Sequence, residues 1–289
     1  MNTLVITTRF TARVTRLLTL TLLLMFMAAA LSLLSACGGD DPTAPPVVNQ
    51  NPSGLYKSVT STSTLGGTAV SDMRGFVHNN RLIAFSVTAH YLIDGTINTI
   101  SGNNYTATVS VYKNGLLAQA GVAVTGLVTN ASSISGTLSG TGVSSASFNL
   151  AFDSQYETNA TVERISQSAT DWLGTAYSEF NTAGPELVLP AGITVQSGLT
   201  MGGGALLAGS LDGPECFFDN GVLTIPDTQV NVYTITHIVT QGNGCTLSTV
   251  GNYTGFATVI TGTGSSNVDD TLLYAASNGT HAIFAVFVR

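Results

Sequence analysis

Four histidines, three cysteines and two acidic clusters are the side chains in this sequence whose types could do chemistry. His78, His90, His237 and His281 stand apart from one another. None lies two or four residues from another, so no strand or helix presents a local pair of imidazole ligands. His237 shares an alternating strand face with Tyr233, Ile235 and Val239. A histidine on such a face is expected to be a hydrogen-bonded core or mouth residue, and His90, before Tyr91, is read as equally ordinary. Asp212, Glu215 and Asp219 surround Cys216, and Asp269 and Asp270 follow "TGTGSSN". Oxygen-rich loops bind calcium, but neither cluster has a spacing that fixes a coordination geometry, so both are read as solvated turns. The patterns GxSxG, GxxxxGK[ST], HExxH, CxxC and the EF-hand loop are absent from the sequence. "MGGGALLAG" is glycine-rich but carries no phosphate-loop lysine, and reads as a turn with a strand after it. The sequence therefore assigns no catalytic residue, no metal ligand and no cofactor. A hydrolase assembled from Ser, His and Asp on distant strands stays open as the alternative, because catalytic groups need to meet only in space.

Cys37 has a context of its own. Arg9, Arg13 and Arg16 precede a nearly unbroken apolar run from Leu17 to Leu34, and no acid occurs before Asp40. A positive start, an apolar centre and small residues before a boundary make the pattern of a secretion signal. The run is nearly long enough to span a bilayer, so an uncleaved anchor is the competing reading. Leu34, Ser35, Ala36 and Cys37 resemble the lipobox of bacterial lipoproteins. That resemblance implies cleavage between Ala36 and Cys37 and a diacylglycerol on the Cys37 thiol. It makes the membrane, reached through this lipid, one partner of the chain. Gly38, with no aspartate directly after the cysteine, is similar to lipoproteins sent to the outer membrane. With Cys37 given to lipid, Cys216 and Cys245 are left as a possible disulfide in an oxidising compartment. Such a bridge stabilises a fold by roughly 3–4 kcal/mol in the chain-entropy model.

Removing residues 1–36 takes away three arginines and no acid, so the formal charge of −7 becomes −10. Lys57, Arg74, Arg81, Lys113, Arg164 and Arg289 remain, scattered. Backbone binding needs clustered cations, so nucleic acid is excluded as a partner. Charged residues make up 9% of the chain, far below the usual quarter or so, which leaves Ser, Thr and Asn to hydrate the surface.

The elements that must position these groups read as β almost throughout. "TATVSVY" alternates Ala107, Val109 and Val111 against Thr106, Thr108 and Ser110, and "FNLAF" repeats the period with Phe148, Leu150 and Phe152. "HAIFAVFVR" is apolar on both faces, as in a strand covered on both sides or one lining a closed barrel. Asp94-Gly95, Asn114-Gly115, Asn220-Gly221 and Asn278-Gly279 are expected to be tight hairpin turns. "ATVERISQSATDW" lacks alternation and predicts a short helix capped by Thr161.

The expected organisation is a signal peptide at 1–36, a lipidated Pro-rich tether at 37–53 and an N-terminal β lobe at 54–157. A short helical connector at 158–171 and a C-terminal β lobe at 172–289 with the disulfide complete it. The fold class is all-β, with two antiparallel lobes built as small barrels or sandwiches. "GLY" (54–56) and "GTAY" (174–177), "TLGG" (64–67) and "TMGG" (200–203), and "NNYT" (103–106) and "NVYT" (231–234) suggest a duplication with loop insertions. Tyr91, Tyr105, Tyr112, Tyr177, Tyr233, Tyr253 and Trp172 are either a recognition surface or cross-strand packing.

"YETNATVERISQSATDWLGTAY", "ECFFDNG", "NVYTITHIV" and "YTGFATV" resemble the C-terminal module of small proteobacterial envelope lipoproteins over about residues 156–289. A looser likeness, of architecture alone, is to the barrels of transferrin-binding and factor-H-binding surface lipoproteins. What these resemblances imply is an outer-membrane lipoprotein facing the periplasm or the exterior. Its role would be non-catalytic binding of a protein or small molecule, or structural support. The alternative is an envelope hydrolase acting on cell-wall or lipid material.

Overall fold

Alternation of apolar and hydroxyl side chains drives the chain into antiparallel strands, and the apolar half of each strand decides which core it joins. The computed structural model describes residues 47–59, 63–140, 146–166, 172–177, 188–195, 199–206, 215–240, 251–262 and 270–288. All but the first of these residues belong to a single unit, Val48–Arg289. The chain is nearly all β, in two antiparallel lobes.

The first lobe comprises β1 (Gly54–Ser58), β2 (Ser63–Leu65), β3 (Thr68–Val70), β4 (Arg74–His78), β5 (Arg81–Ser86), β6 (Tyr91–Ser101), β7 (Asn104–Lys113), β8 (Leu116–Thr129), β9 (Ser133–Ser139) and β10 (Ala146–Phe152). Its curled sheet runs in the order β1-β4-β5-β6-β7-β8-β9-β10-β2-β3, and β1 pairs again with β10 through Tyr56↔Phe152. The pairing therefore returns on itself through eight strands, with the β2–β3 hairpin as an appendage on β10. A 3₁₀ turn (Ser154–Glu157) and helix α1 (Val162–Ser166) lead to the second lobe. There β11 (Trp172–Tyr177), β12 (Val188–Val195), β13 (Thr200–Leu206), β14 (Glu215–Thr224), β15 (Tyr233–Thr240), β16 (Gly251–Ile260), β17 (Thr271–Ser277) and β18 (Ala282–Val288) form a closed barrel in chain order. Pairing of β11 with β18, Gly174↔Phe287 among others, closes it.

Three apolar cores result. Val77, Leu82, Ala84, Val109 and Leu150 fill the first lobe, and Trp172, Tyr233, Leu272, Tyr274 and Phe287 fill the second. The third core lies between them. Along β5, Leu82 and Ala84 point into the lobe while Ile83 and Phe85 point out; along β18, Ile283 and Ala285 point in while Ala282 and Phe284 point out. The outward set packs together across the two lobes, Phe85 against Phe284 and Phe76 against Phe256, with centroids 5.9 and 6.2 Å apart. That double burial explains why the C-terminal strand is apolar on both faces.

Helix α1 starts where Thr161 predicts, its Oγ1 accepting from Arg164 N at 3.2 Å. Two of the four expected turns stand. Asn114-Gly115 joins β7 to β8, with φ of 54° and 81°, and Asn278-Gly279 joins β17 to β18. The other two are corrected. Asp94-Gly95 lies inside β6, because the Asp94 carboxylate is held by Arg81, while a Cβ on Gly95 would come within 2.1 Å of Thr108 O. Asn220-Gly221 lies inside β14, at the irregularity between Asp219 and Val222 in its pairing with β15. Asn79-Asn80, with φ of 48° and 62°, makes the turn from β4 to β5. The end of the Pro-rich stretch is fastened to the first lobe: Gln50 N donates to Gly102 O, and Asn49 Oδ1 accepts from Gly102 N, both at 2.9 Å.

Candidate functional site

One cluster of ionisable side chains among the described residues lies on the seam between the lobes. Arg81 opens β5 and Asp94 sits mid-way along the neighbouring β6. Arg81 Nε donates to Asp94 Oδ1 at 2.9 Å and its second terminal nitrogen to Oδ2 at 2.7 Å, a bidentate pair. The second lobe engages both charges. Thr254 of β16 accepts from Arg81 through Oγ1 at 3.1 Å and its carbonyl at 2.9 Å, while Ser277 Oγ donates to Asp94 Oδ2 at 2.6 Å. The guanidinium lies 5.6 Å from the centre of the Phe256 ring, and the His78 ring meets the same Phe256 edge-on at 6.0 Å. Burial pushes the Tyr112 phenol up, against hydrogen bonds with Ser277 and Ser110. Backbone bonds complete the seam. The two Asn-Gly hairpins meet edge to edge, Leu117 N donating to Thr280 O at 2.9 Å and Ala282 N to Gly115 O at 2.8 Å.

A second cluster tests the hydrolase alternative. Asp72, Ser86 and His90 gather at the loop from β5 to β6. Ser86 Oγ donates to Asp72 Oδ1 at 2.5 Å and accepts from Ala89 N at 3.0 Å, and Thr88 N donates to Asp72 Oδ2 at 2.8 Å. Burial pushes the Asp72 carboxyl up, but these bonds outweigh it and hold it below its ordinary value. Burial pushes His90 down, Asp72 opposing and Lys113 assisting. A nucleophilic serine must give its proton to an imidazole that the acid orients. Here the proton goes to the acid directly, and the serine is fully buried. The cluster pins a loop; it does not present a nucleophile.

The other sequence-derived residues fall as follows. Ala36, Cys37, Cys245, Asp212 and Asp269 lie outside the described residues. Cys216 is in β14, opposite Ala205, and His237 is in β15, opposite Tyr253; their side chains are outside what is described. Asp270 departs from the expected solvated turn: it is buried, and its Oδ1 accepts from Gly262 N at 3.2 Å. No group of three or more His, Cys, Asp or Glu within reach of a metal occurs among the described residues. Tyr105, Tyr112, Tyr233, Tyr253 and Trp172 are all buried, which places them in packing and not on a recognition surface. The Trp172 Nε1 donates to Ile165 O at 3.0 Å, and Tyr233 Oη to Thr161 O at 2.8 Å, so α1 closes one end of the barrel.

Arg81, Asp94, Thr254 and Ser277 were not singled out from sequence as a group. Asp94 to Ser277 spans 183 residues. The scarcity of charge was the available signal, since a lone Asp inside a β run needs a partner when buried. No protein-family model, no curated protein and no solved structure matches this chain.

Proposed function

We propose that this chain is a lipid-anchored protein of the bacterial cell envelope whose two β lobes serve as one rigid, non-catalytic body for binding or structural support. The observation that carries the reading is the seam. A shared apolar core, a bidentate ion pair engaged from both sides and two crossing backbone bonds hold the lobes as a unit. An enzyme needs a nucleophile or general base free to act. In the two described clusters the Asp94 and Asp72 carboxylates and the Ser277 and Ser86 hydroxyls are instead taken up in hydrogen bonds with their neighbours. The lipobox-like Leu34–Cys37 and the Pro-rich stretch after it supply the anchor, and the resemblance to outer-membrane lipoproteins supplies the location.

The test is metabolic labelling with an alkyne fatty acid in cells making the wild type or Cys37→Ser. Label on the wild type, its loss in the variant and release of the variant from the membrane fraction are expected. Label that persists in Cys37→Ser removes the anchor from the reading. A screen with chromogenic ester and phosphate substrates addresses the catalytic alternative. Turnover abolished by His90→Ala would replace the binding reading with the hydrolase.

A further inference from the structure

We propose that the seam is an acid-sensitive clasp, which His78 and His281, one from each lobe, keep closed while neutral and loosen when they take up protons. The inference goes beyond the function proposed above and rests on the same seam, which it takes as rigid near neutral pH.

His78 ends β4, opposite Arg81, and is 8% exposed with its ring against Phe256. Its surroundings are poor in compensation for a positive charge. Arg81 already occupies the face of the same Phe256, and both Asp94 oxygens are taken by Arg81 and Ser277. Asp227 is the acid that acts on it from the second lobe. A proton on His78 therefore sets a second cation beside Arg81 at the rim of an apolar core.

His281 stands at the opposite margin. Its backbone bridges Leu116 of the first lobe, between the two bonds that cross the seam, and it is 9% exposed. Thr280 Oγ1 lies 2.9 Å from its Nδ1. Burial alone pushes this imidazole down, with no charged side chain among the described residues acting on it. For His78 burial is again the larger influence, and Asp227 opposes it.

The sign follows from these directions. Each histidine has a lower proton affinity in the closed seam than in water, so the closed form binds fewer protons than the open one. Closure is at full strength above the ordinary histidine value of about 6.5, weakens as pH falls from there toward the depressed values, and levels off below them. Two sites titrating together steepen the loss beyond what one would give.

Hydrogen exchange of the full chain reads this directly. The Leu117 and Ala282 amides report the seam, while Val128 N, bonded to Asn103 O, and Leu223 N, bonded to Leu199 O, report the lobe interiors. Between about pH 7.5 and about pH 5, protection at Leu117 and Ala282, corrected for intrinsic exchange, should fall progressively, with a slope no steeper than about a hundredfold per pH unit, the limit for two protons. Val128 and Leu223 should hold. In His78→Phe/His281→Phe the fall should vanish. Constant protection in the wild type overturns the proposal, and so does an equal fall in the double variant. Should that variant not fold, titration of the two imidazoles by NMR in the wild type decides. Both midpoints below the ordinary value sustain the clasp, and either one at or above it ends the idea.

Discussion

Tyr105 and Tyr233 occupy corresponding strands of the two lobes, and their hydroxyls meet opposite fates. Tyr233 Oη donates to Thr161 O at 2.8 Å and accepts from Thr161 N at 3.2 Å. Tyr105 Oη is buried with no protein partner among the described residues, and burial pushes its phenol up. An unsatisfied buried hydroxyl costs about 1–3 kcal/mol, whereas a satisfied one contributes about 1 kcal/mol. Tyr105→Phe is therefore expected to leave stability unchanged or raise it by about 1 kcal/mol, and Tyr233→Phe to lower it by about 1–2 kcal/mol. Urea midpoints at equal m check the pair of signs. Asp94 poses the reverse case. Asp94→Asn leaves Arg81 uncompensated and is expected to cost about 3 kcal/mol, while Arg81→Met/Asp94→Leu together cost less than the single change. A double variant worse than Asp94→Asn would show that the pair is not the unit being read. None of these differences is visible in the sequence, since a tyrosine carries no sign of a partner 72 residues away, as Thr161 is from Tyr233, nor an aspartate of one 183 residues away, as Ser277 is from Asp94.

At the scale of strands, the register brings Tyr105, Gly126, Gly136 and Phe148 into one row across β7, β8, β9 and β10. The two aromatic rings lie over the two glycines: a Cβ on Gly136 would come within 2.6 Å of Phe148 and 2.8 Å of Tyr105. On Gly126 a Cβ would meet Ser135 O at 1.9 Å, a backbone atom that cannot step aside. Gly126→Ala is thus expected to cost at least about 2–3 kcal/mol, and an exposed strand change such as Thr125→Ala under about 1 kcal/mol. A thermal shift equal for the two would remove the steric argument. Strands were legible where they alternate, as in β7 and β10, because period and burial coincide; α1 was legible from its cap and lack of alternation. The Asp-Gly and Asn-Gly pairs misled at Asp94-Gly95 and Asn220-Gly221. Their turn preference is local, and it yields where a carboxylate is held across lobes or a strand carries a bulge. Conversely, Asn79-Asn80 makes a turn because asparagine tolerates positive φ, a signal weaker than Asn-Gly.

For the molecule as a whole, the two lobes follow one plan. Each is an eight-strand circuit closed by its first and last strands, and the first lobe adds β2–β3 between its first two members. "GLY" and "GTAY" fall on the first strands, and "NNYT" and "NVYT" lead into the fifth. "TLGG" and "TMGG" do not correspond, since the former includes the turn of the added hairpin. The sixth strands make the firmest link. Thr125-Gly126 and Thr254-Gly255 each lie on the sixth strand, and a Cβ on either glycine would meet a carbonyl oxygen of the seventh strand at 1.9 Å. Two copies of one plan would unfold independently if nothing joined them, because each has its own core. The outward faces of β4, β5, β17 and β18 supply the join, and it lies outside both interiors. The intact chain is accordingly expected to unfold in one denaturant transition. Phe85→Asp, which charges the seam without entering either interior, should split that transition in two, each with a smaller m. Val109→Ala, inside the first lobe, should lower the midpoint by a cavity cost of roughly 1–3 kcal/mol and keep one transition. If Phe85→Asp still unfolds in a single step at the full m, cooperativity has a source other than the seam, and the rigid body inferred from it loses its basis.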